Sequence, residues 1–483
     1  MQNDKRKPEK VFHFFSEIAK IPRGSGNMEA IVQYCLRFAK DRGLESYCDN
    51  YGNVMIFKDG TKGYEHSESV ILQGHLDMVC EKRPDCLKDM EREGIDILID
   101  GEYLRADGTT LGGDNGIAVA YILALLDDAG TIAHPPIEAL LTADEEVGLR
   151  GAHALDASKL TGKRLINMDS EEEGILTVSC AGAVRAACAV PMMYEETTAS
   201  MCAKRVTVSG LLGGHSGIDI GRSRKNAALV LAELLYDLSG HIRIGIAGFS
   251  SGGRLNVIPQ TAEMVICIDS AQEKEFDSIL TTYNAGLKRA CTQTEPNACV
   301  SAVNVPVPAA CLDDTSAKTL ISTLLLAPNG VSAVSTDIPF LVQTSSNLGS
   351  VSLEDNVLNL GFMIRSNTDH GKTETVRRLK ALAGSVRGMV TLSDDYPAWE
   401  YRQVSPLREV MVETYEEMYG SKPQICAIHA GLECGILAEK LEGTDMISIG
   451  PNMKNVHTPD EQLEIKSVER CWEYLLRVLE RLD

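Results

Sequence analysis

Short apolar runs that stop on an acid or a histidine constrain this chain most. SVILQGH ends on His75, PPIEALLTADEE ends on Glu145 and Glu146, and LINMD ends on Asp169. Runs of this kind read as strands buried on both faces. Between them stand helical stretches, the clearest being GGDNGIAVAYILALLDDAG, an apolar helix that begins near Asp114. Strands that alternate with helices predict a largely parallel sheet, and in such sheets functional groups collect outside the carboxyl ends of the strands.

The chain of 483 residues exceeds the size at which one core keeps growing, so two domains are expected. Helices are predicted over 8–20 and 27–42, split by Pro-Arg-Gly-Ser-Gly, and a hairpin around Asn50 and Gly52 follows. The pattern changes near Ala183. KRVTVSG alternates as a strand, SRKNAALVLAELLYDLSG as an amphipathic helix, and RLNVIPQTAEMVICIDS as a hairpin-like pair. Near Ala398 the alternation returns, and TDMISIG leads to the loop that carries His457. The expected architecture is α/β. A domain with a mixed, largely parallel sheet is built from 1–182 and 398–483, and 183–397 is inserted into it as an α+β lid with a sheet covered on one face.

A net charge of −21 argues against nucleic acid as a partner, because phosphate binding needs a basic surface. MQNDKRKPEKVFHFF has no apolar run of secretory length, and no stretch approaches the roughly 20 apolar residues of a membrane span. Fourteen cysteines without a CxxC pair read as free thiols of a reducing compartment. A cytoplasmic protein without a membrane segment is expected.

The chemistry sits in GHLDMV, GGDNG, TADEEVG, NMDSEE and NVHTPDE. They supply His75, Asp114, Glu146, Asp169 and His457, a hard donor set that suits two divalent ions, zinc first, with manganese and cobalt able to share it. In the expected site Asp169 joins His75 on one ion, Glu146 joins His457 on the other, and Asp114 bridges. Asp114 could instead cap its helix, with Asn115 taking part of that work. His75 and Asp77 stand two apart on a strand and share a face, so the carboxylate can orient the imidazole. Glu145 and Glu146 are adjacent acids and need different roles, one as ligand and one as general base. Two ions with a paired acid suit hydrolysis of an amide or peptide bond.

In this order, GHLDMVCEK, LGGDNGIAVA, TADEEVGLRGA, INMDSEEEG, GLLGGHSGIDI and HAGLECG resemble the cocatalytic zinc peptidase family of carboxypeptidase G, the aminoacylases and di- and tripeptidases. The likeness is to its aminoacyl-histidine (Xaa-His, carnosine-cleaving) dipeptidase branch and spans nearly the whole chain. It implies a catalytic domain with an inserted lid, Glu145 as general base and Asp77 as the partner behind His75. It implies that His215 in GGHSG stabilises the oxyanion, in some relatives across a dimer. It also places Asn256 and Arg365 on substrate polar groups and Gly431 and Glu433 near the substrate backbone. His429 is open between a structural role and a contact, while His134 and His153 are expected to be structural or exposed. A homodimer through the lid is implied as well.

The resulting expectation is a cytosolic metallo-dipeptidase for unblocked dipeptides, Xaa-His included, with water activated between the ions. A tripeptidase or an N-acyl-amino-acid deacylase of the same fold is the alternative. A non-catalytic metal-dependent binding protein is the remote one.

Overall fold

The computed structural model describes residues 7–483, so the first six residues of the segment read for a leader lie outside it. The described residues divide into two compact units, one of 7–179, 401–427 and 432–483, the other of 180–400 and 428–431. Against the expected boundaries of 183 and 397, the second unit begins at 180, ends at 400 and adds 428–431. No composition break marks these four residues, which precede a helix of the first unit, yet Ala181 donates its N–H to the carbonyls of Ile428 and Ala430.

The first unit is built on a sheet whose strands lie in the order 45–48, 54–58, 137–142, 70–75, 164–167, 445–448, 175–180 and 424–428. Strand 70–75 runs parallel to 137–142 and to 164–167, which runs parallel to 445–448. These central strands are the predicted parallel block. Every residue of Val70–His75 and Ile137–Thr142 is buried. The margins are antiparallel: 45–48 with 54–58, 54–58 with 137–142, and 445–448 with 175–180. At the first of these, the connection around Asn50 and Gly52 is too short for a parallel crossover.

The helix Gly113–Leu126 is buried all round, as its unbroken apolar composition requires. It lies so close to strand 70–75 that a Cβ on Gly74 would stand 2.6 Å from Asn115 Oδ1 and 2.7 Å from the Ala118 methyl. Only glycine permits that approach, which brings the start of the helix to the end of the strand carrying His75.

The second unit holds an antiparallel sheet in the order 299–305, 201–209, 262–269, 245–252, 342–354, 357–366, 182–191 and 389–396, with 330–334 paired to 342–354. Helices 227–239, 273–291, 314–326 and 369–385 supply Leu231, Leu235, Phe276, Leu320 and Leu379 to a core shared with Val206, Ile266, Leu348 and Phe362 of the strands. One pairing differs from the sequence reading. Ala262–Asp269 pairs with Gly245–Gly252, whereas Val257–Ile258 pairs with Gly214–His215. GIAGFSSG holds a single β-branched residue, Ile246, and so carries little strand signal of its own.

Candidate metal centre

In the first unit, His75, Asp114, Glu146, Asp169 and His457 converge at the carboxyl ends of the parallel strands. His75 Nε2 lies 3.0 Å from Asp114 Oδ1 and 3.4 Å from Asp169 Oδ1. His457 Nε2 lies 3.1 Å from Asp114 Oδ2 and 3.0 Å from Glu146 Oε1. Each oxygen of Asp114 thus faces a different imidazole. His75, Asp114 and Glu146 offer ligand atoms all within 4.8 Å of one another. The His75 side chain is 1% exposed and that of His457 is 47%, so the site is closed on one side and open on the other.

Asp77 does more than the expected task. Its Oδ1 stands 3.4 Å from His75 Nδ1, behind the imidazole. Its oxygens also accept the backbone N–H groups of Glu145 at 2.9 Å and Glu146 at 3.2 Å, and the Ser25 hydroxyl at 2.8 Å. One buried carboxylate therefore orients a histidine and both adjacent acids. Burial alone would raise the Asp77 carboxyl. The imidazole, the Glu145 N–H and Ser25 outweigh it and hold the group below its ordinary value.

Two residues that sequence reasoning missed also build the site. Glu461 is buried and accepts the N–H groups of Leu111, Gly112, Gly113 and Asp114 at 2.7, 2.9, 2.8 and 3.3 Å. It satisfies the orphan donors of the helix start and leaves both Asp114 oxygens for the site. Asn115 serves elsewhere: its Oδ1 accepts from His75 N at 3.2 Å and its Nδ2 donates to the Met168 carbonyl at 2.8 Å. The signal for Glu461 was the uncapped helix start itself, although nothing in sequence says which distant acid fills it. Arg23, from the helix breaker, is buried and donates to the carbonyls of Leu76 and Asp77, both at 2.9 Å, and to that of Gly112 at 2.5 Å.

The electrostatics suit divalent cations. Burial first, then Asp114 and Glu146, push the Asp169 carboxyl up to about 7 against the pull of His75. Burial also pushes Glu145 well above the carboxylate range, with Asp169, Glu433 and Glu146 adding to it. The Asp114 and Glu146 carboxylates drive His457 up to about 11. A crowd of buried acids around two imidazoles is under-neutralised by its own side chains, and dications held there would supply the missing charge. The donor set fits such ions.

The second unit groups other candidates. His215 Nδ1 accepts the N–H groups of Gly217 and Ile218, both at 3.2 Å, so a neutral ring carries its proton on Nε2, which becomes a donor. Burial and then Arg365 lower its pKa. Asn256 is exposed beside Val257, the strand partner of His215. Arg365 is buried, donates to Tyr396 Oη at 3.3 Å and leaves Nε without a partner. Gly431 packs on the same tyrosine, where a Cβ would stand 2.8 Å from Oη.

Glu433 requires a correction. It belongs to the first unit, is 0% exposed and bonds Gln73 and Thr142, so it has no surface to offer a substrate. Burial, chiefly, pushes its carboxyl up to about 7. His134 is buried with Nδ1 on the Pro135 carbonyl, and His153 is exposed.

His429 is structural. Its Nε2 lies 2.7 Å from Ser345 Oγ and its Nδ1 3.1 Å from Asn367 Oδ1. Burial, then Arg365 and His215, push it down to about 3. In the unfolded chain it takes up a proton as pH falls through its ordinary 6.5, whereas the folded protein resists this down to about 3. Stability present above pH 6.5 is therefore lost progressively below it, at up to about 1.4 kcal/mol per pH unit from this group. Urea unfolding at pH 7.5, 6 and 5 is expected to show a shallower acid slope for His429→Gln than for the parent. Equal slopes would contradict the assignment.

Residues 71–481 match the peptidase family M20/M25/M40. The chain is 35% identical over 475 residues to the cytosol non-specific dipeptidase of Escherichia coli (strain K12), covering 98% of each. It superposes on the crystal structure of aminoacylhistidine dipeptidase from Vibrio alginolyticus with a TM-score of 0.95 and 34% identity, over 100% of this chain and 98% of that one. Aminopeptidase PepT from Bacillus cereus shares the fold, with a TM-score of 0.57 and 15% identity over 99% of both chains.

Proposed function

The chain belongs to the M20/M25/M40 peptidase family, and from that premise we propose that it is a metallo-dipeptidase hydrolysing unblocked dipeptides, Xaa-His included. The observation that carries the hydrolytic reading is Asp114, with one oxygen toward His75 and the other toward His457. The dipeptide reading is supported by the named activities of the two relatives at 35% and 34% identity.

His75, Asp114 and Asp169 would hold one divalent ion, and His457, Asp114 and Glu146 a second. When bound, such ions supply Lewis acidity and acidify water. Zinc is the metal proposed, with manganese and cobalt accepted by the same donors. Glu145 takes the proton of the attacking water and returns it to the leaving amine nitrogen. Asp77 holds the Glu145 backbone and the His75 ring for that purpose. In the second unit, His215 presents a neutral Nε2–H to an oxyanion. Asn256 holds a substrate polar group, and the Arg365 guanidinium binds the free carboxylate of the dipeptide. Gly431, packed on Tyr396, contacts the substrate backbone.

A panel of Xaa-His dipeptides, other dipeptides, tripeptides and N-acyl-amino acids, run on metal-replete protein, tests the substrate class. Unblocked dipeptides are expected to give the highest kcat/KM. Preference for tripeptides or acylated substrates would replace the reading with the tripeptidase or the deacylase.

The protein is proposed to work in the cytoplasm, in keeping with the E. coli relative's name. Among the described residues no helix is long and apolar enough to cross a membrane. A homodimer through the second unit is also proposed. Val331, Val334 and Phe340 are exposed on or beside the short strand 330–334, which has one strand partner among the described residues. Sedimentation of the full chain at the mass of one copy would remove the dimer.

A further inference from the structure

Glu433 opens the helix Glu433–Lys440 with no exposed surface, and it belongs to no role assigned above. Its Oε2 accepts from Gln73 Nε2 and from Thr142 Oγ1, both at 2.6 Å. Its Oε1 has no hydrogen-bond partner. Gln73 stands two residues before His75 on the same strand, and Thr142 ends the strand that runs into Glu145 and Glu146. The contacts continue sideways. Gln73 Oε1 accepts from Asn167 Nδ2 at 2.5 Å, and Asn167 Oδ1 accepts the N–H of Asp169 at 3.2 Å. One carboxylate is thereby joined to the ends of three adjacent strands, each of which delivers residues to the metal centre.

For packing alone this layer is a poor choice. A buried polar group costs free energy unless it is bonded, and a half-satisfied carboxylate costs more than an apolar side chain of like volume. What the layer provides is direction. Hydrogen bonds with defined geometry fix where each strand end points, which leucine or valine contacts do not. Ligands on separate strands must meet within a few tenths of an ångström to share ions. We infer that Glu433 is a positioning residue of the metal centre: through Gln73, Thr142 and Asn167 it sets the strand ends that carry His75, Glu145, Glu146 and Asp169. This rests on reading that cluster as a metal centre.

The test is zinc affinity, measured without substrate by competition against a chelating indicator on metal-stripped full-length protein. Glu433→Ala is expected to weaken zinc binding 10–100-fold, the usual cost of removing a group that supports ligands from behind. Glu433→Gln keeps an oxygen that can accept from Gln73 and Thr142, and it is expected to stay within about threefold of the parent. Thr142→Val removes one of the two bonds at nearly constant volume and is expected to fall between. Parental affinity in Glu433→Ala overturns the inference. So does equal weakening in Glu433→Gln, since charge and not hydrogen bonding would then be at work. If Glu433→Ala fails to fold, Thr142→Val decides, and unchanged affinity there overturns it. A parent that binds no zinc overturns the metal-centre reading as well. Expected zinc affinities with no dipeptide cleavage would instead uphold the inference and reject the proposed substrate.

Discussion

Glu145→Gln is expected to lower kcat by about 10²–10⁴-fold while metal content and thermal stability stay at the parent's level. The reason is the division of labour between two adjacent acids. Glu146 Oε1 lies 3.0 Å from His457 Nε2, within the ligand cluster. The Glu145 carboxylate makes no ion pair with either site histidine, though its backbone N–H is held by Asp77 at 2.9 Å. Glutamine preserves size and that backbone bond but cannot accept a proton from water. Elemental analysis and a melting curve establish that the variant is intact, and kcat on a good dipeptide reads the chemistry. A metal-replete Gln variant with parental turnover would remove Glu145 as the base. KM is expected to move little, because the exchange removes an interaction made in the transition state.

Asp114→Ala is expected to cost more of the metal. Its oxygens face His75 at 3.0 Å and His457 at 3.1 Å, so one substitution strips a shared ligand from both positions. Supporting residues behind a metal typically cost 10–100-fold in affinity, and a shared ligand is expected to exceed about 100-fold at each position. Two consequences are measurable. Metal per chain by elemental analysis is expected to fall from two in the parent to below one. Stabilisation by added zinc, about 2.7 kcal/mol at a hundredfold excess over Kd in the parent, is expected to vanish at the same concentration. Retention of two ions by Asp114→Ala would show that Asp114 is not the bridge. The backbone around it is held independently, since Glu461 binds the N–H groups of Leu111, Gly112 and Gly113. Loss of metal can therefore be separated from loss of the helix start.

Much of the cluster was legible because His75, Glu146 and Asp169 follow apolar runs and Asp114 opens a helix, whereas His457 stands in a loop. A carboxylate at the end of a buried strand, such as Asp169 after Leu165, Ile166, Asn167 and Met168, needs a partner, and periodicity locates it without knowledge of what it meets. His75 and Asp77 do meet, but the strand ends at His75, so their contact comes from the chain just beyond it and not from a shared strand face. Glu461, Arg23 and Glu433 were different. Their partners lie far away in sequence: Glu461 meets Leu111 through Asp114, and Glu433 meets Gln73 and Thr142. Nothing local in PDEQ or HAGLECG distinguishes an acid that faces substrate from one sealed beneath the site. Glu433 was accordingly placed on the wrong side.

By itself, then, the sequence determined the reaction class and picked out the candidate acids and histidines, because periodicity and donor chemistry are local properties. The tertiary structure alone decided which oxygen of Asp114 faces which imidazole, which acid caps the Asp114 helix, and which polar side chains lie behind the ligands. Those are long-range pairings, and their physical cause is the packing of strands and helices whose contacts span hundreds of residues, as between Glu433 and Gln73. The proton on His215 Nε2 falls between the two. GGHSG announces a histidine in a glycine loop, but only the folded loop aims the Gly217 and Ile218 N–H groups at Nδ1 and so turns the ring into a donor.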